Sequence, residues 1–196
     1  MPEGENTLVL DASVVINLLG CGIGSEILAV LPGKALIADR VERELRYHPV
    51  KGLEIDEPMR HWKSQAILET VVMDESMLFR YLDLVHRPSP DHLDDGEAAS
   101  IAVAEELGAA VVLDERRARR MVSEQFTTLN LQSTAGLFRL AANTDVLDRE
   151  TLATALYQAL IKAQMRVVPE ELIAWVVAVI GRERASQCRS LPKRFR

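Results

Sequence analysis

The chain has 196 residues, enough for one globular domain with a small appendage. Hydrophobic residues at 48% and charged residues at 27% exclude a disordered chain, and no apolar run approaches the roughly 20 residues that span a bilayer. The net charge of −6 speaks as a sum against a nucleic-acid partner, but from residue 181 onward six basic residues face only Glu183, so this +5 tail leaves −11 on residues 1–180.

The N-terminus is acidic before its first apolar run and does not read as a secretory signal. Cys21 and Cys188 fit neither a disulfide framework nor a zinc site, which points to a reducing cytoplasm. Residues 7–10 (TLVL) read as a buried strand ending abruptly at Asp11. An apolar helix over 13–19 follows, stopped by glycines at 20, 22 and 24, and then a short helix over 25–31. Residues 34–38 form the next strand after a Pro32–Gly33 turn. Asp39 then stands as the N-cap of an amphipathic helix to about Tyr47.

Residues 49–58 read as loop, 59–68 as a short helix, 70–73 as an edge strand and 74–86 as a helix. A proline-rich break at 87–91 precedes Asp94-Asp95-Gly96-Glu97, which opens an alanine-rich helix to Leu107; Gly108 ends it. Residues 110–113 form a strand ending at Asp114, and helices follow over 116–124 and 133–142. Strands alternating with helices imply an α/β fold with an open parallel sheet covered on both faces. Residues 147–180 hold two further helical patterns and no strand signal, so the expected organisation is a domain over 1–146 and a C-terminal helical extension with a basic tail over 147–196.

The acids carry the chemistry. Asp11 and Asp114 each follow a buried strand, at the end where open α/β sheets bind ligands. Glu42 lies in the first turn after the second strand, and Glu97 in the first turn before the strand of Asp114. If the strands are neighbours, the four carboxylates converge. Packed carboxylates repel, and burying one unpaired charge costs several kcal/mol. Such an oxygen-only set asks for Mg²⁺ or Mn²⁺, which activates water and neutralises developing charge. Each acid alone has a structural reading. Asp11 can cap the helix that follows it, Asp94 and Glu97 have capping-box spacing, and Glu42 can be an exposed acid near a helix start. Arg116 and Arg117, just after Asp114, are placed to steady a substrate phosphate. The histidines at 48, 61, 86 and 92 read as surface residues, and Trp62 and Trp175 as packing residues.

The stretches Leu8-Val-Leu-Asp-Ala-Ser-Val-Val-Ile-Asn-Leu18, Ala38-Asp-Arg-Val-Glu-Arg-Glu-Leu45, Leu93-Asp-Asp-Gly-Glu-Ala98 and Val112-Leu-Asp-Glu-Arg-Arg-Ala-Arg119 resemble, in order, four motifs of the PIN-domain family. The resemblance covers residues 6–142 and is nearest to a subgroup of prokaryotic PIN proteins. It implies a metal-dependent endoribonuclease that hydrolyses RNA phosphodiesters, often the toxin of a toxin–antitoxin pair, with a small antitoxin protein as partner and a homodimer as the assembly. Carried over, Asp11, Glu42, Glu97 and Asp114 are the metal-binding acids, Asp95 competes with Glu97, and Ser13 orients Asp11 or a metal-bound water. The Thr-x-Asp setting common at the fourth motif is absent. The rival expectation is a catalytically inactive PIN fold serving as a nucleic-acid-binding or regulatory subunit.

Overall fold

In the computed structural model, which describes residues 6–47, 52–88 and 92–196, strand and helix alternate through the first two thirds of the chain. In order come β1 (Leu8–Leu10), α1 (Ala12–Cys21), α2 (Gly24–Val30), β2 (Ala35–Ala38), α3 (Asp39–Tyr47), α4 (Asp56–Ser64), β3 (Leu68–Val71) and α5 (Glu75–Val85). Then follow α6 (Asp95–Leu107), β4 (Ala110–Val112), α7 (Arg116–Gln125), β5 (Leu131–Gln132) and α8 (Thr134–Ala142). The C-terminal part is helical throughout: α9 (Arg149–Lys162), α10 (Leu172–Ile180), α11 (Arg182–Gln187) and a closing 3-10 turn, Lys193–Phe195.

The five strands form one parallel sheet in the order β3-β2-β1-β4-β5. Helices cover it, so β2 and β4 are buried along their whole length and read as unbroken apolar runs rather than alternating ones. From β1 the chain winds outward to β2 and β3. It then returns to the other side of β1 as β4 and continues to β5. The winding direction reverses between β1 and β4, and at such a switch point the helices that follow the strands splay apart and leave a crevice at the carboxyl ends. Leu8 stands level with both Ala35 and Ala110, which brings the ends of the three central strands together.

Helix α6 is the most enclosed helix, buried without interruption from Gly96 to Ala104. Its small residues let it lie against the central strands while touching α3 and α5. The helices beyond residue 147 share the same core: Leu152, Leu156, Leu160, Ile173 and Val176 belong to one apolar cluster with Val14, Val15 and Leu18. Helix α1 packs directly on α9. The fit is close where a Cβ on Gly20 would stand 2.8 Å from the Cβ of Ala163.

Most expected elements are present within one or two residues of their expected bounds. Three differ more. The strand expected at 70–73 runs from Leu68 to Val71, and the helix expected at 59–68 runs from Asp56 to Ser64, because Gln65 and Ala66 form a turn, with Ala66 at positive φ. The two-residue strand β5 has no counterpart in the sequence reading; a run that short carries no alternation or apolar signal of its own. Asp39 begins α3 itself rather than preceding it as a cap. Part of the loop at 49–58, part of the break at 87–91, His48 and the N-terminal residues lie outside the described residues.

Candidate active site

Asp11 follows β1 immediately and Asp114 lies two residues beyond β4, so the two carboxylates stand at the carboxyl ends of neighbouring strands, at the switch point. Both are buried. Together with Ser13, Asn17, Glu44 and Glu97 they line a cavity of about 470 Å³, closed on its far side by residues 163–166 after α9.

The Asp11 side chain caps α1, accepting hydrogen bonds from the backbone N–H (3.2 Å) and the hydroxyl (2.7 Å) of Ser13. Burial pushes its carboxyl up to about 6, against the pull of the Ser13 hydrogen bonds and with the charge of Asp94 adding to the rise. Asp114 is more heavily tied. It accepts from Asn17 Nδ2 (2.7 Å), from the Thr134 backbone N–H (2.9 Å) and from the Thr134 hydroxyl (2.5 Å). Burial still raises its pKa, while those bonds and the Arg119 charge work the other way. Arg119 itself donates to the carbonyls of Leu113 (2.8 Å) and Gln132 (2.5 Å), clasping the ends of β4 and β5 beside Asp114.

Glu97 belongs to a capping box: Asp94 accepts from the Glu97 N–H at 2.8 Å, and the Glu97 carboxylate accepts from the Asp94 N–H at 3.2 Å. It nonetheless lines the cavity, and burial together with the charges of Asp94 and Asp11 pushes it up to about 8. Arg117 approaches it to 3.9 Å. Asp95 does not line the cavity; it is exposed and hydrogen-bonds Tyr81.

Glu42 is not part of the cleft. It points to the other side of α3, where it binds Lys63 Nζ (2.8 and 2.9 Å), accepts from the Thr70 hydroxyl (2.6 Å) and pairs with Arg46 (3.3 Å). Burial opposes its ionisation, yet these partners hold it below the ordinary carboxylate range. The acid of α3 that reaches the cleft is Glu44. Burial, then the charges of Asp11, Asp94 and Asp95, push it up to about 7. It has no hydrogen bond or ion pair among the described residues. Arg116 also faces elsewhere, pairing with Glu170 at 2.8 Å.

Sequence reasoning thus missed Glu44, Asn17, Thr134 and the wall at Gln164–Arg166. Asn17 had a visible signal, as the one polar residue between Val14 and Leu19. Thr134 had none, since its role depends on β5 lying beside β4. Of the four histidines, His61, His86 and His92 are exposed.

Among the described residues no group of three or more His, Cys, Asp or Glu side chains forms a ready-made metal site. Two observations bear on whether the residues suit a divalent cation. A Cβ built on Gly96 would stand 2.5 Å from Glu44 Oε2 and 3.2 Å from Asp11 Oδ1, so oxygens from two separate elements meet in a cradle over bare backbone. Burial, with repulsion from neighbouring acids, also makes three acids of the cleft hold protons unusually tightly. Mg²⁺ keeps much of its water and is bound through one or two carboxylates plus substrate phosphates, so a prebuilt cage is not required. The donor set fits such an ion.

Among the described residues no single helix is long and apolar enough to cross a membrane. No curated protein matches the chain. A family profile described as PIN domain matches residues 7–180, from β1 to the end of α10. PIN domains are generally nucleases, that is, hydrolases, and typically use divalent metals. With the match running through the strands that carry Asp11 and Asp114, the α3 acids and the C-terminal helices α9 and α10, this chain belongs to the PIN-domain family.

Proposed function

We propose that the protein is a Mg²⁺- or Mn²⁺-dependent endoribonuclease that hydrolyses RNA phosphodiester bonds in the cleft between β1 and β4. The observation that carries this reading is the meeting of Asp11, Glu44, Glu97 and Asp114, drawn from four elements, around one cavity. Asp11, Glu44 and Asp114 would hold the ion, with Glu97 beside them. When bound, the ion supplies the concentrated positive charge that a phosphodiester needs as negative charge develops on its oxygens.

The remaining groups position. The Ser13 hydroxyl fixes Asp11 Oδ2, leaving Oδ1 turned toward Glu44. Asn17 and Thr134 fix Asp114 from two sides, so neither acid has to be ordered when substrate arrives. Arg117, beside Glu97, offers a cationic contact to the phosphate. The expected toxin role rests on this activity. Expression in a bacterial host should arrest growth, and Asp11→Asn should relieve the arrest. A small antitoxin protein as partner and a homodimer remain part of the same proposal.

The test is cleavage of a mixed RNA pool by purified protein with Mn²⁺, with EDTA, and with Asp11→Asn. Asn keeps the helix cap while removing the charge. Cleavage that needs the metal and disappears in the variant supports the reading; cleavage that survives both treatments defeats it. A second reading, an inactive PIN-fold nucleic-acid-binding or regulatory subunit, draws on the engagement of Glu97 in its capping box and the lack of a ready-made metal site among the described residues. RNA binding without cleavage, and no heat of Mn²⁺ binding by calorimetry, would favour it.

A further inference from the structure

A second and larger cavity, of about 770 Å³, opens beside the acid cleft. The two share the stretch around Gln164 and Arg166, which forms a wall of both. Their chemistry is opposite. The cleft is lined by carboxylates, whereas the second cavity is lined by Arg116, Arg166 and Arg189 together with Gln187 and Ser190, and among the described residues no acid lines it. The arginines come from three separate elements: α7, the segment after α9 and the segment after α11. Their convergence therefore needs the C-terminal helices to be folded onto the sheet.

Three further observations mark the cavity as a binding surface. Arg189 has no ion-pair partner among the described residues. The hydroxyl oxygen of Ser190 is buried without a hydrogen-bond partner, a state that costs stability unless a ligand completes it. The pairs that Arg116 and Arg166 make, with Glu170 at 2.8 Å and Glu115 at 3.7 Å, are surface contacts between largely exposed groups, which a phosphate can replace.

We propose that this cavity is the track for the nucleic-acid strand on one side of the cleaved bond. Arg116, Arg166 and Arg189 take backbone phosphates of single-stranded RNA, and Gln187 and Ser190 hydrogen-bond the same backbone. The proposal rests on the nuclease reading for its substrate. It gives Arg189, from the basic tail, a place beside Arg116 and Arg166 on a path that leads to the acids, in a chain whose first 180 residues carry net negative charge. Contacts of this kind fix register and affinity without reading bases, so the track selects length and flexibility of strand rather than sequence.

The test uses the full chain and a labelled oligouridine of about twelve nucleotides, 2′-O-methylated against contaminating ribonucleases that attack through the 2′-hydroxyl. Binding is followed by fluorescence anisotropy in EDTA, over about 50 to about 200 mM salt. The Arg166→Ala/Arg189→Ala protein should bind roughly tenfold more weakly, and its salt slope should fall by about 0.7 for each arginine removed. Arg60→Ala, which lines neither cavity, should match the unsubstituted protein in both. In cleavage of the unmodified oligomer with Mn²⁺, the double variant should show a raised KM with kcat retained. Equal affinity and equal salt slope in the double variant and the unsubstituted protein would overturn the track. Arginine-dependent binding without metal-dependent cleavage would instead sink the nuclease reading and leave the track standing. Circular dichroism of the double variant guards against misfolding; both side chains are exposed, so little change is expected.

Discussion

Thr134 holds Asp114 twice, with its backbone N–H at 2.9 Å and its hydroxyl at 2.5 Å, from the end of the strand next door. The Thr-x-Asp setting expected within one strand is absent here, and a threonine nevertheless reaches the acid across the sheet. The backbone bond survives any substitution, so the hydroxyl can be tested alone. Thr134→Val should lower stability by about 1.5–3 kcal/mol, since it removes a buried hydrogen bond to an ionisable acid. Cleavage should fall at least tenfold, a cost of about 1.4 kcal/mol in the barrier. Thr134→Ser should restore most of both. Thermal denaturation and single-turnover cleavage read the two effects, and a Val variant as active as the unsubstituted protein removes Thr134 from the positioning set.

Glu42 and Glu44 are two residues apart and make opposite predictions. Glu44→Gln should cut Mn²⁺ affinity and cleavage by ten- to a hundredfold, the loss usual for a group that supports a metal. The fold should be undisturbed or firmer, because the charge it removes is repelled by Asp11, Asp94 and Asp95. Glu42→Gln should leave cleavage intact and lower stability by about 1 kcal/mol, through loss of the Lys63 ion pair. The reverse pattern would return Glu42 to the site.

The cleft acids also set a pH dependence. Asp11, Glu44 and Glu97 release protons near 4 when unfolded but near 6, 7 and 8 when folded. Between those limits the folded state binds more protons, so unfolding free energy falls as pH rises. Metal-free protein should therefore melt at a lower temperature at about pH 8 than at about pH 5. A cation held by these acids reverses the cost, so Mn²⁺ should raise Tm strongly at the higher pH and weakly at the lower. Calorimetric scans at both pH values decide it; equal Mn²⁺ shifts would show that these acids do not take up the ion.

Gly96 offers a separation of stability from function. A methyl there meets Glu44 Oε2 at 2.5 Å, and the far end of a glutamate side chain can swing aside. Gly96 lies within α6, where alanine is favoured over glycine by about 1 kcal/mol. Gly96→Ala should thus fold at least as stably as the unsubstituted protein while losing metal affinity and cleavage. An unchanged activity would mean that the Asp11–Glu44 cradle is not where the ion sits.

The parallel sheet was legible because β1, β2 and β4 are buried on both faces and so appear as bare apolar runs with an acid at the end. The pairing of β4 with β5 was not, because two residues carry no period. On α3 the sequence does not tell which acid faces the cleft, for a geometrical reason. Residues advance about 100° each around a helix, so Glu42 and Glu44 point to opposite sides, and distance from the strand cannot tell which side meets α6. Only the packed position of α6 decides it. The arginines after Asp114 likewise part company: Arg119 clasps backbone beside Asp114, Arg116 faces the second cavity and Arg117 approaches Glu97.

The double duty of Asp11 bears on how related sequences should be compared. Because its carboxylate also starts α1, a descendant that abandoned catalysis would still gain by keeping Asp there, or Asn, Ser or Thr. Glu97 has a similar reason to persist in its capping box. Glu44 has no architectural occupation among the described residues, and its charge is repelled by Asp11, Asp94 and Asp95. Drift would be expected to erase it first. In a set of homologues, the acid at this position, rather than the more conspicuous aspartates, is the marker that should sort working enzymes from retired ones.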